Sequence, residues 1–186
     1  GGLNLYGFAD GDPLSYSDPF GLCPMHLTGR PCGSPLQSGI VDIRSDVFSG
    51  FGRSSERSSG IHQGVDLLTP IGSEVTAVDD GVVVGTGTSK TWGNYVILGH
   101  KDADGNVVSY SAYMHLSSVG VKRGDSIGRS QVIGASGDTG NAKGTPPHLH
   151  FELWTGFGAA TAGSGLNHRL DPVLFLPPPG DAIWPK

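Results

Sequence analysis

The chain has 186 residues, with 12 Lys and Arg against 17 Asp and Glu, and a formal net charge of -5 with neutral histidine. This acidic balance offers no basic stripe to neutralise phosphates, which argues against a nucleic-acid partner. No apolar run approaches the roughly 18 residues of a membrane helix, so no membrane insertion is expected. With 37% hydrophobic residues but 31 Gly and 13 Pro, we predict a compact, turn-rich globular domain with a short appendage.

The first 22 residues, GGLNLYGFADGDPLSYSDPFGL, contain two Asp-Pro pairs, which favour turns. They resemble the closing segment of Rhs/YD-repeat proteins, in which a GLNLYxY-like run leads to a DPxGL terminus and a variable toxin domain follows. The DPxGL ending falls on Asp18, Pro19, Gly21 and Leu22. The resemblance implies self-cleavage after Leu22, by machinery that includes a segment upstream of this chain. An ordinary turn-rich linker is the alternative.

The chain begins Gly-Gly, without a basic and then apolar leader, so we expect it to be cut from a longer protein. Residues 23–45 are loop-like and are interpreted as a connector to a domain at residues 46–186. Cys23 and Cys32 could form a disulfide in an oxidising compartment, where so small a loop contributes roughly 2–3 kcal/mol. Two free thiols are the open alternative.

From Glu74 onward, short β-type runs alternate with turn residues, and no sustained helical period is present. Residues 75–84 and 95–110 are each predicted to form a hairpin with Asp-Gly at its turn. Residues 131–135 and 148–154 are predicted to be further short strands. One short helix is predicted at Asp171, with Pro at its first position. The expected core is therefore an antiparallel β-sheet.

Four of the seven histidines lie in patterns that suit a metal centre. His62 and Asp66 form HxxxD, and on a straight strand they would lie about 13 Å apart, so the chain must bend between them, which Gly64 permits. His148 and His150 form HxH, whose alternation places both rings on one sheet face about 7 Å apart. Two imidazoles and one carboxylate suit a single Zn²⁺ with water in an open fourth position, as in catalytic zinc sites.

Together with His115 in YMHL, these patterns resemble the lysostaphin/LytM-type zinc metallopeptidases, the peptidoglycan endopeptidase family of the duplicated-hybrid-motif fold. The resemblance runs from about Phe51 to Leu176. It implies a mostly β fold, with an antiparallel β-sheet core, long loops that form a substrate groove and few short helices. Further matches to the family lie at residues 51–53, 64–67, 77–83, 93–96, 124–125, 134, 136–140 and 171–172.

Carried over residue by residue, the resemblance implies that His62, Asp66 and His150 bind Zn²⁺. It implies that His115 and His148 form a catalytic pair, which would hydrogen-bond the attacking water, help to remove its proton and stabilise the oxyanion.

Other roles for the histidines also follow from the sequence. The alternative for His115 is a histidine packed in the sheet beside Tyr113. His26, His100 and His168 match nothing catalytic and are predicted to be surface or structural residues. His26 lies between the two cysteines, but these three ligands are one too few for a closed structural zinc site.

Two departures from the family pattern bear on substrate preference. Residues 53–60 contain no aromatic residue that would supply the extra oxyanion donor of some Gram-positive members. The segment between Thr139 and His148 is longer than the spacing common in the family, so the loop beside His148 is expected to be reshaped.

The leading prediction is a zinc endopeptidase that cuts peptidoglycan cross-links as an Rhs-family antibacterial effector, in the periplasm or wall of a target bacterium. It implies an upstream Rhs shell and a cognate immunity protein as partners. The expected bond joins D-Ala to diaminopimelate, with Gly-Gly bridges as the alternative. A non-catalytic peptidoglycan-binding or activator module and a housekeeping wall-remodelling peptidase are the competing functions. The complete ligand set argues against the former, and the Rhs-like leader argues against the latter.

Overall fold

The computed structural model describes residues 32–36, 50–53, 60–160 and 165–176. The predicted leader at residues 1–22 and the residues Cys23 and His26 lie outside these ranges. The described part is mostly β, as predicted, and its only helical structure is three short 3₁₀ turns, at Gly140–Ala142, Phe157–Ala160 and Pro172–Leu174. Within the same ranges, no helix has the length and apolar character needed to cross a membrane.

The described strands form three antiparallel sheets. The smallest contains β1 (Gly52–Arg53) and β2 (Ile61–His62). A three-stranded sheet has the order β4 (Glu74–Thr76), β10 (Val132–Ala135), β8 (Ser118–Val119). The largest sheet has the order β12 (Arg169–Leu170), β11 (His148–Trp154), β7 (Val107–Leu116), β6 (Gly93–Lys101), β5 (Gly81–Ser89), β9 (Ser126–Ile127). β3 (Val65–Leu68) pairs with the first half of β11, on the edge opposite β7.

One predicted hairpin is confirmed and the other is wrong. β6 and β7 pair across the turn at residues 102–106, as predicted. The Asp-Gly turn at residues 79–81 joins two strands of different sheets, because β4 pairs with β10 while β5 pairs with β6 and β9. The carboxylate of Asp80 accepts a hydrogen bond from the Arg129 backbone amide, which ties this turn to the approach to β10.

The remaining predicted elements lie where the sequence placed them. β10 and β11 match the two short strands predicted at residues 131–135 and 148–154. The predicted helix at Asp171 is the 3₁₀ turn Pro172–Leu174, and the Asp171 carboxylate caps it by accepting from the Val173 amide at 3.0 Å.

The two faces of the large sheet have different roles. Along β11, Leu149, Phe151 and Leu153 are fully buried in the main hydrophobic core. Because side chains alternate along a strand, His148 and His150 project from the opposite face. The main core therefore supports, from behind, the strand that carries the HxH pattern.

Part of the predicted connector belongs to this core. Leu36 is 1% exposed, bridges to Val75 of β4 and packs in the main cluster. The Gly33 amide donates to the Val78 carbonyl at 2.6 Å. Cys32 is buried and disulfide-bonded, but Cys23 lies outside the described residues, so their pairing stays a prediction. The domain boundaries also stay predictions.

His100, predicted to be surface or structural, is fully buried in β6. Its Nδ1 donates to the Asp80 carbonyl at 2.8 Å, and its Nε2 lies 2.8 Å from Ser111 Oγ. The Tyr113 hydroxyl continues this chain, 3.0 Å from Ser111 Oγ and 3.0 Å from the Val78 amide. His100 therefore links the turn before β5 to the centre of the large sheet.

The predicted bend between His62 and Asp66 is present. Gly64 is required there because a larger side chain would not fit, and not because of an unusual backbone conformation. Gly64 does not have a positive φ. A Cβ built there would lie 2.2 Å from the Phe151 carbonyl oxygen and 2.7 Å from Glu152 Cγ. The glycine therefore lets the bend pass directly against the backbone of β11.

We expect Gly64→Ala to lower the free energy of unfolding by about 2–3 kcal/mol, because the added methyl group meets rigid backbone rather than a movable side chain. Urea denaturation of the metal-free protein measures the effect. Gly128→Ala is the matched control, since a Cβ there has only the Gln131 Oε1 atom nearby, at 3.9 Å. A Gly64→Ala variant as stable as the Gly128→Ala variant would contradict the steric explanation.

Candidate metal centre and active site

Three strands bring the HxxxD and HxH patterns together. His62 ends β2, Asp66 lies on β3, and His150 lies on β11 directly opposite Asp66 in the register. The side chains of His62 and His150 are buried, and that of Asp66 is 11% exposed. The predicted ligands therefore meet on the face of the large sheet that points away from the main core.

The three candidate ligand atoms form a compact triangle. His62 Nε2 lies 3.0 Å from His150 Nδ1, His150 Nδ1 lies 2.7 Å from Asp66 Oδ1, and Asp66 Oδ1 lies 3.2 Å from His62 Nε2. A tetrahedral zinc ion with bonds of about 2.0–2.1 Å has ligand atoms roughly 3.3 Å apart. The triangle is slightly tighter than that spacing, so small outward movements suffice for coordination.

The outer nitrogens of the two histidines determine what their inner nitrogens can do. His62 Nδ1 donates to the Gly50 carbonyl at 2.8 Å, and His150 Nε2 donates to Glu152 Oε1 at 3.0 Å. Because these partners only accept, the neutral rings present lone pairs at His62 Nε2 and His150 Nδ1. Two lone pairs and a carboxylate oxygen of Asp66 thus converge on one point, which requires a bound cation or proton there.

The electrostatics of the metal-free site agree with this geometry. Burial raises the pKa of Asp66, but hydrogen bonds and charge from His150 and His62 outweigh it and hold that pKa far below its usual range. Burial lowers the pKa of His150, but the bonds to Asp66 and Glu152 outweigh it and raise the pKa to about 9. In the metal-free protein, a proton therefore occupies the position where the ligand atoms meet.

His115 reaches the site through an unusual backbone conformation. Its neighbours Tyr113 and Leu116 lie in the main core, whereas Met114 lies on the site face. Regular alternation would send His115 into the core, but its φ of 64° turns the side chain to the site face. Its ring centroid lies 5.1 Å from that of His148 and 5.8 Å from that of His150.

A single loop holds the outer nitrogens of both predicted catalytic histidines. His115 Nδ1 donates to the Thr139 carbonyl at 2.9 Å, and His148 Nδ1 donates to the Pro146 carbonyl at 2.8 Å. Both Nε2 atoms are thus left with lone pairs, and that of His148 lies 3.7 Å from Asp66 Oδ1. The lengthened segment between Thr139 and His148 therefore anchors both rings at its two ends.

His115 is neutral at neutral pH. Burial lowers its pKa first, and electrostatic repulsion from the neighbouring rings of His150 and His148 lowers it further, to about 4. In the unfolded chain its pKa is near 6.5. The folded site therefore keeps His115 in the form that accepts a proton.

These shifts predict a stability maximum near pH 6.5 for the metal-free protein. Below that pH, unfolding is favoured because unfolded His115 takes up a proton that the folded residue binds only near pH 4. Above it, unfolding is favoured because unfolded His150 loses a proton that the folded residue keeps up to about pH 9. Each limb amounts to about 3 kcal/mol between its two pKa values.

Urea melts in the presence of a chelator at pH 4.5, 6.5 and 8.5 measure this dependence. His115→Asn should remove most of the acid limb and leave the alkaline limb unchanged. A free energy of unfolding that stays constant from pH 6.5 to 8.5 would contradict the arrangement around His150.

The site face also carries a second, smaller hydrophobic cluster. Ile97, Ala112, Met114 and Trp154 are buried in it. Half-buried or exposed rings surround them, with contacts that link Trp92 to Tyr95 and Trp154, and Tyr110 to Trp154 and Phe157. Because its central side chains are at most 3% exposed, this cluster is a core that stabilises the site face of the sheet.

Sequence reasoning did not identify every residue of the site. Neither Glu152 nor Arg169 was assigned a role from the sequence, although both are buried behind His150. A carboxylate two positions after HxH, on the same strand face, was the available indication for Glu152. No local sequence pattern indicates a role for Arg169. His168, which was predicted to be a surface or structural residue, is exposed.

Comparisons with known proteins agree with this geometry. The family model described as peptidase family M23 matches residues 60–164. The peptidoglycan DD-endopeptidase ShyA of Vibrio cholerae is 46% identical over 92 residues, which are 50% of this chain and 20% of ShyA. The curated relatives are in general much longer, and the matches span 20–30% of their lengths.

Two solved structures have a similar fold. The catalytic domain of the antimicrobial peptidase lysostaphin from Staphylococcus simulans superposes with a TM-score of 0.55 and 35% identity, over 68% of this chain and 87% of that domain. A zinc-containing peptidase from Vibrio cholerae superposes with a TM-score of 0.52 and 32% identity, over 66% of this chain and 34% of that protein.

Proposed function

The chain belongs to peptidase family M23, and on that basis we propose that it is a zinc endopeptidase that hydrolyses the peptide cross-links of bacterial peptidoglycan. The observation that carries the proposal is the convergence of lone pairs from His62, Asp66 and His150 on one point, with the rings of His115 and His148 beside it. A binding module would have no need of the last two residues in proton-accepting form.

The donor set fits zinc. Two imidazole nitrogens and one carboxylate oxygen are a donor set that catalytic zinc sites use, and such sites keep one further position for water. Zinc in such a site supplies Lewis acidity and lowers the pKa of a water to about 7. His62, Asp66 and His150 would hold the ion, and the similarity to a zinc-containing peptidase supports the choice of metal.

The other two histidines would manage the protons and the developing charge. In their neutral forms, the rings of His115 and His148 carry a lone pair on Nε2, because each Nδ1 donates to a backbone carbonyl. His148 Nε2 lies 3.7 Å from Asp66 Oδ1, and the His115 ring centroid lies 5.8 Å from that of His150. One would accept the proton of the attacking water, and, once protonated, a ring can donate to the oxyanion or to the leaving amine. The carbonyls of Thr139 and Pro146 would keep both rings oriented throughout.

The expected bond joins D-Ala to diaminopimelate in a peptide bound extended in a groove between loops, as the family resemblance implies. The similarity to ShyA, a peptidoglycan DD-endopeptidase, supports this bond. The Gly-Gly bridge remains the alternative substrate, and the same experiment distinguishes the two.

Digestion of purified peptidoglycan tests the proposal. Zinc-loaded protein should convert cross-linked muropeptide dimers of Gram-negative peptidoglycan to monomers, as followed by mass spectrometry, and His150→Ala should not. If dimers persist, pentaglycine-bridged peptidoglycan is the second substrate, and cleavage there selects the Gly-Gly bond. Zinc binding with neither substrate cut would overturn the function in favour of a peptidoglycan-binding or activator module.

We further propose that the domain is deployed as an Rhs-family antibacterial effector that acts in the periplasm or wall and is neutralised by an immunity protein. The support is the DPxGL-like ending at residues 18–22. Expression with a periplasmic export signal should lyse Gram-negative cells, whereas cytoplasmic expression should be tolerated. Harmless periplasmic expression of a protein active in digestion would argue for a housekeeping enzyme. Cleavage after Leu22 remains a prediction.

A further inference from the structure

Glu152 is a buried carboxylate behind the proposed metal site. It is 1% exposed and lies on the same strand face as His150, two residues further along β11. Its Oε1 accepts from His150 Nε2 at 3.0 Å, the ring nitrogen that points away from the ligand triangle. In the sheet it lies opposite Ala112, where an apolar residue would pack without the desolvation cost of a charge. The carboxylate therefore needs a reason other than packing.

The second oxygen of Glu152 is fully engaged. Oε2 accepts from Trp154 Nε1 at 2.6 Å and from Arg169 Nε at 2.7 Å. Arg169 is fixed in turn, because it donates to the carbonyls of Gly165 at 3.0 Å and Ala159 at 2.7 Å. With both donors on Oε2, the carboxylate cannot rotate, and only Oε1 faces His150.

This arrangement controls which nitrogen of His150 is free. Oε1 can only accept, so the neutral ring must carry its proton on Nε2. Nδ1 then holds the lone pair that faces Asp66 and His62. If the proton were on Nδ1, it would occupy the place where the metal has to bind.

We propose that Glu152, held by Arg169 and Trp154, is a positioning residue that selects the Nε2–H tautomer of His150 and so presents Nδ1 to the metal. The proposal rests on the metal site of the proposed function, but not on the substrate. Glu152 touches neither the ligand triangle nor the predicted reacting atoms; it acts through His150 alone.

Glu152→Gln tests the proposal by reversing one hydrogen bond at constant shape. The donors of Trp154 and Arg169 both require the amide oxygen at the Oε2 position. The amide NH₂ then faces His150 Nε2, which must accept, and the ring proton moves to Nδ1. We expect zinc affinity to fall by about 10–100-fold, as measured by competition with a chromophoric chelator, while the circular dichroism spectrum is unchanged.

Asp104→Asn is the matched control. It makes the same carboxylate-to-amide change at an exposed residue of the β6–β7 turn, so zinc affinity should stay within about threefold of the wild type. Wild-type affinity in a folded Glu152→Gln variant would overturn the proposal, since a purely structural role would change the melting temperature alone.

A measurement on the unaltered chain covers the case in which Glu152→Gln does not fold. Long-range ¹H–¹⁵N correlation spectra of the zinc-loaded wild type should show His150 protonated at Nε2 and ligated through Nδ1. Ligation through Nε2 would overturn the proposal. The substrate plays no part in these readouts, so zinc binding that depends on Glu152 in a protein that cuts no peptidoglycan would refute the proposed function and leave this inference standing.

Discussion

Asp66→Ala is expected to abolish both zinc retention and peptidoglycan cleavage. Asp66 supplies the one negative charge among the three converging ligand atoms, and its Oδ1 lies within 3.2 Å of both ligand nitrogens. Without it, two neutral imidazoles would remain, which are too few for a catalytic zinc site. A metal ion contributes several kcal/mol of transition-state stabilisation, so the rate should fall by at least about a thousandfold.

His150→Ala should have the same consequence, because it removes a ligand atom of the same triangle. Metal content after dialysis, measured by mass spectrometry, and release of muropeptide monomers are the two readouts. Asp104→Ala is the control, since Asp104 is exposed in the β6–β7 turn, and it should keep both properties. Cleavage that survives in a variant without bound zinc would refute the mechanism.

The resemblance to a known family predicted which residues meet at the site, and the strand geometry explains why they do. His150 and Asp66 fall opposite each other on paired strands, so period-two alternation carries both to one face. The need for a bend between His62 and Asp66 also followed from strand rise alone. The reason for Gly64 did not, because the constraint comes from the Phe151 carbonyl of a distant strand.

Strand partners were harder to predict than strands. The sequence pattern on both sides of residues 79–81 correctly indicated two strands. An Asp-Gly turn between two strands does not, however, determine that those strands pair with each other. Here the partner of β4 is β10, more than 50 positions later. The contacts of residues 32–36 with the same region were equally hard to predict, because the hydrogen bonds and the packing of Leu36 join positions about 40 residues apart, which no local pattern indicates.

The supporting charges were missed for a related reason. Glu152 and Arg169 are 17 positions apart, and neither has a short motif that ties it to the other. Their role depends on a side-chain orientation that exists only when β12 pairs with β11. Likewise, the position of His115 on the site face depends on a single positive φ. Histidine tolerates a positive φ better than most residues do, but no neighbouring residue type indicates that one occurs here.

The positive φ of His115 makes His115→Asn the most discriminating change to the predicted catalytic pair. Asparagine also tolerates a positive φ, so the backbone of β7 should be kept, while the shorter amide cannot take up a proton. We expect zinc retention to be unchanged and the rate of cross-link cleavage to fall by about 10²–10⁴-fold, the usual contribution of a positioned acid or base.

The same substitution at His168 is a matched control, because His168 is an exposed histidine with a φ of 63°, close to the 64° of His115. His168→Asn therefore tests the cost of placing asparagine in this conformation without altering the site, and it should leave both zinc and rate unchanged. If His115→Asn lost its zinc, His115 would belong to the metal site. If it kept the full rate, His148 would be the sole proton acceptor, and the positive φ would be an ordinary feature of the β7 backbone.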